Sequence, residues 1–254
     1  MRRVACLLAA TAVLATGCGG DDDRSGDGAG STLTVLAASS LTDGFGELER
    51  TYEAENPGVD VELSFDSSST LAEQVVQGAP ADVLATADED TMRTVVDAGL
   101  TAGEPVAFAR NRLVLVTPPD NPAGVDDITD LDDDAVAYAV CVPDAPCGAA
   151  SRTLLDRAGV RTDPVTEEDN VRDTLGKVTA GEVDAGLVYA SDAEAAGDDV
   201  HVVVVPEARR VLNADVVAVL SDAGSRSDAT AWVDLVTSVR GQQVLRRAGF
   251  LPAP

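Results

Sequence analysis

Four places in the chain set small polar residues between an apolar run and the start of a helical pattern: Ser39-Ser40, Ser67-Ser68-Ser69, Pro146-Cys147-Gly148 and Asn170-Val171. The first turn of a helix carries N–H groups that no intrahelical carbonyl reaches, and its aligned peptide dipoles leave that end partly positive. Several such turns facing one crevice would hold an anion without a charged side chain, and the hydroxyls of Ser40 and Ser68 would add donors. Each serine also has a plainer use, which is to cap its own helix. Composition alone does not choose between the two.

Other chemistries are poorly supplied. No G-x-S-x-G turn surrounds a serine, and no G-x-x-x-x-G-K-[ST] loop occurs. The single histidine, His201, opens an apolar run and reads as a strand-edge residue. With only Cys6, Cys18, Cys141 and Cys147 beside it, no zinc-ligand spacing exists. The acidic residues lack the spacing of a calcium loop. Tyr52, Tyr138 and Tyr189 stand apart, so no adjacent pair could hold a ferric ion. No catalytic residue, no cofactor and no bare metal cation is therefore expected. A secreted serine hydrolase using Ser40 or Ser68 is a remote alternative.

The charge balance narrows the partners. Asp and Glu number 44 against 18 Lys and Arg, a net charge of −26 over 254 residues. Such a surface repels phosphate backbones, which excludes a general nucleic-acid binder. Apolar residues make up 45% of the chain but aromatics only 3%, so a packed core must be built from Val, Leu and Ala.

The first residues read as an address. Arg2 and Arg3 precede an apolar run over 5–14 that is too short to span a bilayer, and Ala15-Thr16-Gly17-Cys18 closes it. This ending resembles a bacterial lipobox, with Ala15 where Leu is commoner. It implies cleavage after residue 17 and a lipid on Cys18; ordinary cleavage near Ala15 and free secretion is the alternative. Residues 18–31, rich in Asp, Gly and Ser, form a flexible tether. Once Cys6 leaves with residues 1–17 and Cys18 is acylated, Cys141 and Cys147 remain, and outside the cytoplasm they are expected to pair.

The elements that must position these residues alternate. Strand patterns fall at residues 32–37, 59–65, 83–86, 113–117, 136–141, 185–189, 201–205 and 216–220. Helical spacing follows Ser39-Ser40 through Leu41, Phe45, Leu48 and Tyr52, and recurs at residues 71–76, 89–98, 149–158, 171–180, 232–239 and 242–247. Thr70 and Glu73 have capping-box spacing. Alternation of this kind means an α/β fold with largely parallel strands. So many strands fit two similar lobes better than one doubly wound sheet.

Several stretches then resemble one family in order along the chain: LTVLAASSL (33–41), FDSSSTLAEQ (65–74), QGAPAD (77–82), ATAD (85–88), NVR (170–172), AGLVYASDA (185–193) and RAGF (247–250). They are similar to the molybdate-binding proteins of bacterial ABC importers. The resemblance implies a two-lobed periplasmic-binding-protein fold, each lobe a mixed and mainly parallel sheet flanked by helices, with the ligand in the cleft between them. It implies a tetrahedral oxyanion, molybdate or tungstate, held by neutral donors: the hydroxyls of Ser40, Ser68 and Tyr189 and the N–H groups of Cys147 and Val171, with Ser39 and Ser67 as secondary candidates. It implies a binding protein anchored through Cys18 to the outer face of the cell membrane, delivering its ligand to a permease. A receptor for sulfate or another small anion is the alternative within that class.

Residues 32–110 with 213–254 would form one lobe and residues 111–212 the other, with crossings near Arg110–Leu113 and Leu212–Asp215. A monomer is expected. Two positions depart from the family pattern. Asp66 stands two residues before Ser68, where a carboxylate facing an anion would be unfavourable, so it is expected to point outward. Cys147 is unusual at its position, and if only its N–H binds, its side chain is free to pair with Cys141.

Overall fold

A computed structural model describes residues 30–253 of the chain; the expected signal segment, the expected lipid site at Cys18 and most of the expected tether lie outside the described residues. Strand β1 (Ser31–Ala38) is buried on both faces over its C-terminal half. It lies between β2 (Val59–Asp66) and β3 (Val83–Thr86), parallel to both. A strand covered on both faces reads as a continuous apolar run, as LTVLAA does. Successive residues still serve different cores. Val35 and Ala37 pack into the larger core, while Leu36 joins Leu71, Leu84, Met92 and Val95 in a smaller one. Helix α1 (Thr42–Glu55) covers the first face, and α2 (Ser68–Val76) and α3 (Glu89–Asp97) cover the second.

Strand β4 (Val106–Thr117) is the long element that joins two sets of strands. Its first half pairs antiparallel with β9 (Leu212–Val219) and β10 (Leu251–Pro252), and its second half with β7 (Ala185–Tyr189) and β8 (His201–Val203). Strand β5 (Tyr138–Cys141) runs parallel to β7 on one side and to β6 (Thr166–Glu168) on the other. The path of paired strands is β2-β1-β3-β9-β4-β7-β5-β6. The remaining helices are α4 (Pro146–Ala158), α5 (Val171–Thr179), α6 (Ala190–Ala196), α7 (Arg226–Thr237) and α8 (Val239–Arg247). The alternation predicts this α/β fold with helices flanking sheet, but not the antiparallel pairings of β4 and β9, which make the sheet mixed rather than largely parallel.

Few aromatics are available, and they are concentrated. Trp232 of α7 meets Phe45 at 5.6 Å and Tyr52 at 5.7 Å between ring centroids, both edge-on, and Phe45 reaches Phe108 of β4 at 5.9 Å. Edge-to-face pairs add about 0.5–1.5 kcal/mol beyond the area they bury. They pin the C-terminal helices to the first strand–helix unit.

The element boundaries differ from expectation where polar residues interrupt an apolar run. Strand β4 begins at Val106 rather than near 113, because Arg110, Asn111 and Arg112 break its pattern although Asn111 is buried. Strand β9 begins at Leu212 for the same reason, with Asn213 and Asp215 buried inside it. Strands β6 and β10 and helix α6 are too short to announce themselves. The Thr70–Glu73 capping box is not formed: α2 starts at Ser68, which puts Thr70 inside its first turn.

Candidate functional site

Strands β1, β2 and β3 are parallel to one another, as are β5, β6 and β7, and the carboxyl ends of both sets deliver the walls of one cavity. Residues Ala38, Ser39 and Ser40 follow β1; Asp66, Ser67 and Ser68 close β2; Ala87 follows β3. From the other strand set, Pro146 and Cys147 follow β5, Asn170 and Val171 follow β6, and Tyr189 ends β7. Ligand sites in α/β folds form at such carboxyl ends of strands. The cavity holds about 210 Å³ of empty space, its mouth included. Every sequence-derived candidate, from Ser39 and Ser40 through Ser67, Ser68, Cys147 and Val171 to Tyr189, stands in its wall.

The hydroxyls do not act as helix caps. Neither the 3-10 turn at Ser39–Leu41 nor α1, α2 and α4 has a side-chain cap. Elsewhere the chain does cap its helices, with Asp88 on α3 and Ser238 on α8. The Ser40 Oγ and the Tyr189 hydroxyl are buried with no hydrogen-bond partner. A buried hydroxyl left unpaired costs about 1–3 kcal/mol, so two on one cavity mark a place that awaits an acceptor. The Ser68 Oγ accepts the Ala87 N–H at 2.9 Å, which leaves its own proton to donate. Ala87, with no functional side chain, carries no sequence signal for this part.

Backbone donors complete the wall. Asn170 caps α5 by accepting from the Arg172 and Asp173 N–H groups at 2.9 and 3.1 Å, and Val171 at the first helical position keeps its N–H outside that cap. Cys147 stands in the first turn of α4 and is joined to Cys141, at the end of β5, by a disulfide. Gly148 permits this seat: a Cβ there would sit 1.9 Å from the Val142 carbonyl oxygen. The Cys141 Sγ also lies 3.5 Å from the Thr174 Oγ1 of α5, so the disulfide packs between the two helix starts.

Asp66 stands in the cavity wall, with its Oδ1 accepting the Ser67 N–H at 2.7 Å. That bond removes the Ser67 N–H from the free donors, and the Ser67 Oγ is shared with the Ser69 Oγ at 3.0 Å. The physical reason is local: Asp66 ends β2 just before the helix, where its carboxylate meets the uncapped turn.

No lysine or arginine lines the cavity. Burial pushes the Tyr189 hydroxyl well above its ordinary pKa, and Asp215, Asp88 and Asp192 push it the same way, so it remains a donor across neutral pH. Asp192, fully buried in α6, is raised to about 7 mainly by burial, against the pull of Arg172, whose Nε lies 2.8 Å from the Asp192 Oδ1. Burial also raises Asp215 well above the usual carboxylate range. The burial of these two acids is invisible in the sequence, where each sits in an unremarked polar break. Among the described residues no group of His, Cys, Asp and Glu could hold a metal ion, and no helix is long and apolar enough to cross a membrane.

The chain is similar to known solute-binding proteins. The family described as "Bacterial extracellular solute-binding protein" matches residues 33–251. The molybdate-binding protein ModA of Mycobacterium tuberculosis is 42% identical over 219 residues, which cover 86% of this chain and 84% of that one. A putative ABC transporter substrate-binding lipoprotein, YvgL of Bacillus subtilis, is 28% identical over 245 residues, covering 94% of this chain and 93% of that one. Among solved structures, the periplasmic molybdate-binding protein of Azotobacter vinelandii superposes with a TM-score of 0.79 at 20% identity, covering 87% of this chain and all of that one, a likeness of fold.

Proposed function

The chain belongs to the bacterial extracellular solute-binding protein family, a family of binding proteins and not of enzymes, and we propose that its ligand is molybdate, bound as a tetrahedral dianion. The observation that carries this reading is the pair of orphan hydroxyls, Ser40 and Tyr189, facing first-turn N–H groups in one cavity without a basic side chain. In this reading Ser40, Ser68 and Tyr189 donate through their hydroxyls, Cys147 and Val171 through their N–H groups, and Ser39 assists. Ser67 falls out of the donor set, because Asp66 holds its N–H.

A protein of net charge −26 cannot attract a dianion from afar. Preorganised donors in a water-poor site instead act at contact range, where each hydrogen bond is stronger than in water. Molybdate and sulfate ask only for donors, so cavity size must separate them; tungstate, nearly the size of molybdate, is accepted too. The lobe boundaries expected from the sequence, 32–110 with 213–254 and 111–212, make β4 and β9 the crossings, and ligand capture a closure about them. The lipid on Cys18 holds the receptor, as a monomer, at the outer face of the membrane, where it hands the oxyanion to an ABC permease.

Isothermal calorimetry with molybdate, tungstate, sulfate and phosphate tests the ligand. Tight binding of molybdate and tungstate with far weaker sulfate is expected. Sulfate bound as tightly as molybdate would overturn the ligand assignment.

A further inference from the structure

Arg172 directly follows Val171 at the start of α5. It serves three of the elements that carry the site. Its Nη2 pairs with Asp43 in the first turn of α1, just after Ser40. Its Nε lies 2.8 Å from the Asp192 Oδ1, three residues beyond Tyr189. Asp43 belongs to the strand set of β1, whereas Arg172 and Asp192 belong to that of β5–β7. Of the ion pairs among the described residues, Arg172–Asp43 alone joins these two sets: those at Glu47, Glu55 and Asp90 stay within the first, and those at Asp156, Asp192 and Glu182 within the second.

We propose that Arg172 is a positioning residue for oxyanion capture, its guanidinium latching α1 across the cleft while neutralising the buried Asp192 behind Tyr189. The proposal rests on the oxyanion-receptor reading above. The latch acts on closure, because Arg172 makes its cross-cleft contact only when Val171 and Ser40 face the same cavity. A contact made in the closed state and absent from the open one shifts that equilibrium and slows release, while leaving the encounter with ligand unchanged. The planar fork of an arginine suits the two carboxylates at once; a lysine, a point charge, serves only one. Neutralising Asp192 also keeps an uncompensated buried carboxylate from standing behind the anion.

The test follows molybdate release by stopped flow, with displacement by tungstate. Asp43 is half exposed and lies outside the cavity wall, so Asp43→Asn removes the cross-cleft pair and leaves Arg172–Asp192 in place. Release is expected to accelerate roughly two- to fivefold, the range of a partly exposed pair, with association within twofold of wild type. The double variant Arg172→Gln with Asp192→Asn, which leaves no buried charge unpaired, is expected to release as fast, and adding Asp43→Asn to it should change nothing more. Raising the salt should speed wild-type release towards that of Asp43→Asn and leave the variant's rate fixed. Wild type that binds no oxyanion overturns the receptor reading and the latch with it. Wild type that binds molybdate while Asp43→Asn releases it at the wild-type rate overturns the latch alone, as does an additive effect of Asp43→Asn in the double variant.

Discussion

Replacing Tyr189 by Phe separates a ligand donor from a structural hydroxyl, because the two roles predict opposite signs. The Tyr189 ring is buried at the end of β7, and its hydroxyl meets no protein partner. A hydroxyl that holds the fold together through a hydrogen bond would take about 0.5–1.5 kcal/mol of stability with it. Tyr189 makes no such bond, and an unpaired buried hydroxyl is itself unfavourable, so Tyr189→Phe is expected to leave the unliganded protein as stable as wild type or slightly more so. Binding should move the other way. A hydrogen bond to a charged group contributes about 1.5–3 kcal/mol, which is roughly a ten- to hundredfold loss of molybdate affinity. The assay is a urea unfolding midpoint without ligand beside a calorimetric titration of the same preparation. Because burial holds the hydroxyl proton well above pH 10, the wild-type affinity that depends on it should stay level between pH 7 and 9. Unliganded Tyr189→Phe that unfolds more easily yet binds molybdate as wild type does would refute the assignment.

Three further outcomes follow from neighbouring residues. Asp66→Asn keeps the acceptor for the Ser67 N–H and removes a charge from the cavity wall, so molybdate should bind more tightly, by roughly fivefold for a repulsion on the order of 1 kcal/mol; unchanged calorimetric affinity would show that the carboxylate does not face the ligand. Asp192 has its folded pKa raised to about 7, so it contributes stability that is fully present below about pH 4 and is lost as the pH rises to about 7, at up to about 1.4 kcal/mol per pH unit; urea midpoints from pH 5 to 8 should show Asp192→Asn flattening that slope, and parallel curves would argue against it. Opening the Cys141–Cys147 bridge, by reduction or as the double serine variant, should lower stability by about 2 kcal/mol and weaken molybdate binding through the displaced Cys147 N–H; intact-mass measurement first verifies that the untreated protein carries no free thiol at either position.

Much of the fold was legible because strand–helix junctions carry a local signal: an apolar run, a small polar residue, then helical spacing. The junctions at Ser39-Ser40, Ser67-Ser68, Cys147 and Asn170-Val171 all reach one cavity, since β1 and β2 are parallel and end together, as are β5 and β6, and the carboxyl ends of the two sets meet there. What stayed hidden depends on contacts between distant residues. Nothing local says that Ala87 donates to Ser68, that Asn111 and Asp215 are buried inside strands, or that Arg172 reaches back 129 residues to Asp43.

The acids around the site bear on how such a negative chain can hold an anion. Asp192 and Asp215 are buried, and burial raises both pKa values, so at neutral pH they face the cavity's surroundings with less charge than their number suggests. Arg172 offsets Asp192 further. The remaining carboxylates are mostly at the surface, where salt screens them within about 8 Å at physiological ionic strength. In the proposed site the nearest groups are hydroxyls and first-turn N–H donors, with Asp66 the one acid in the wall. That makes Asp66, rather than the net charge, the electrostatic opponent of the ligand. It is also why removing its charge should tighten binding, whereas neutralising distant surface acids should not.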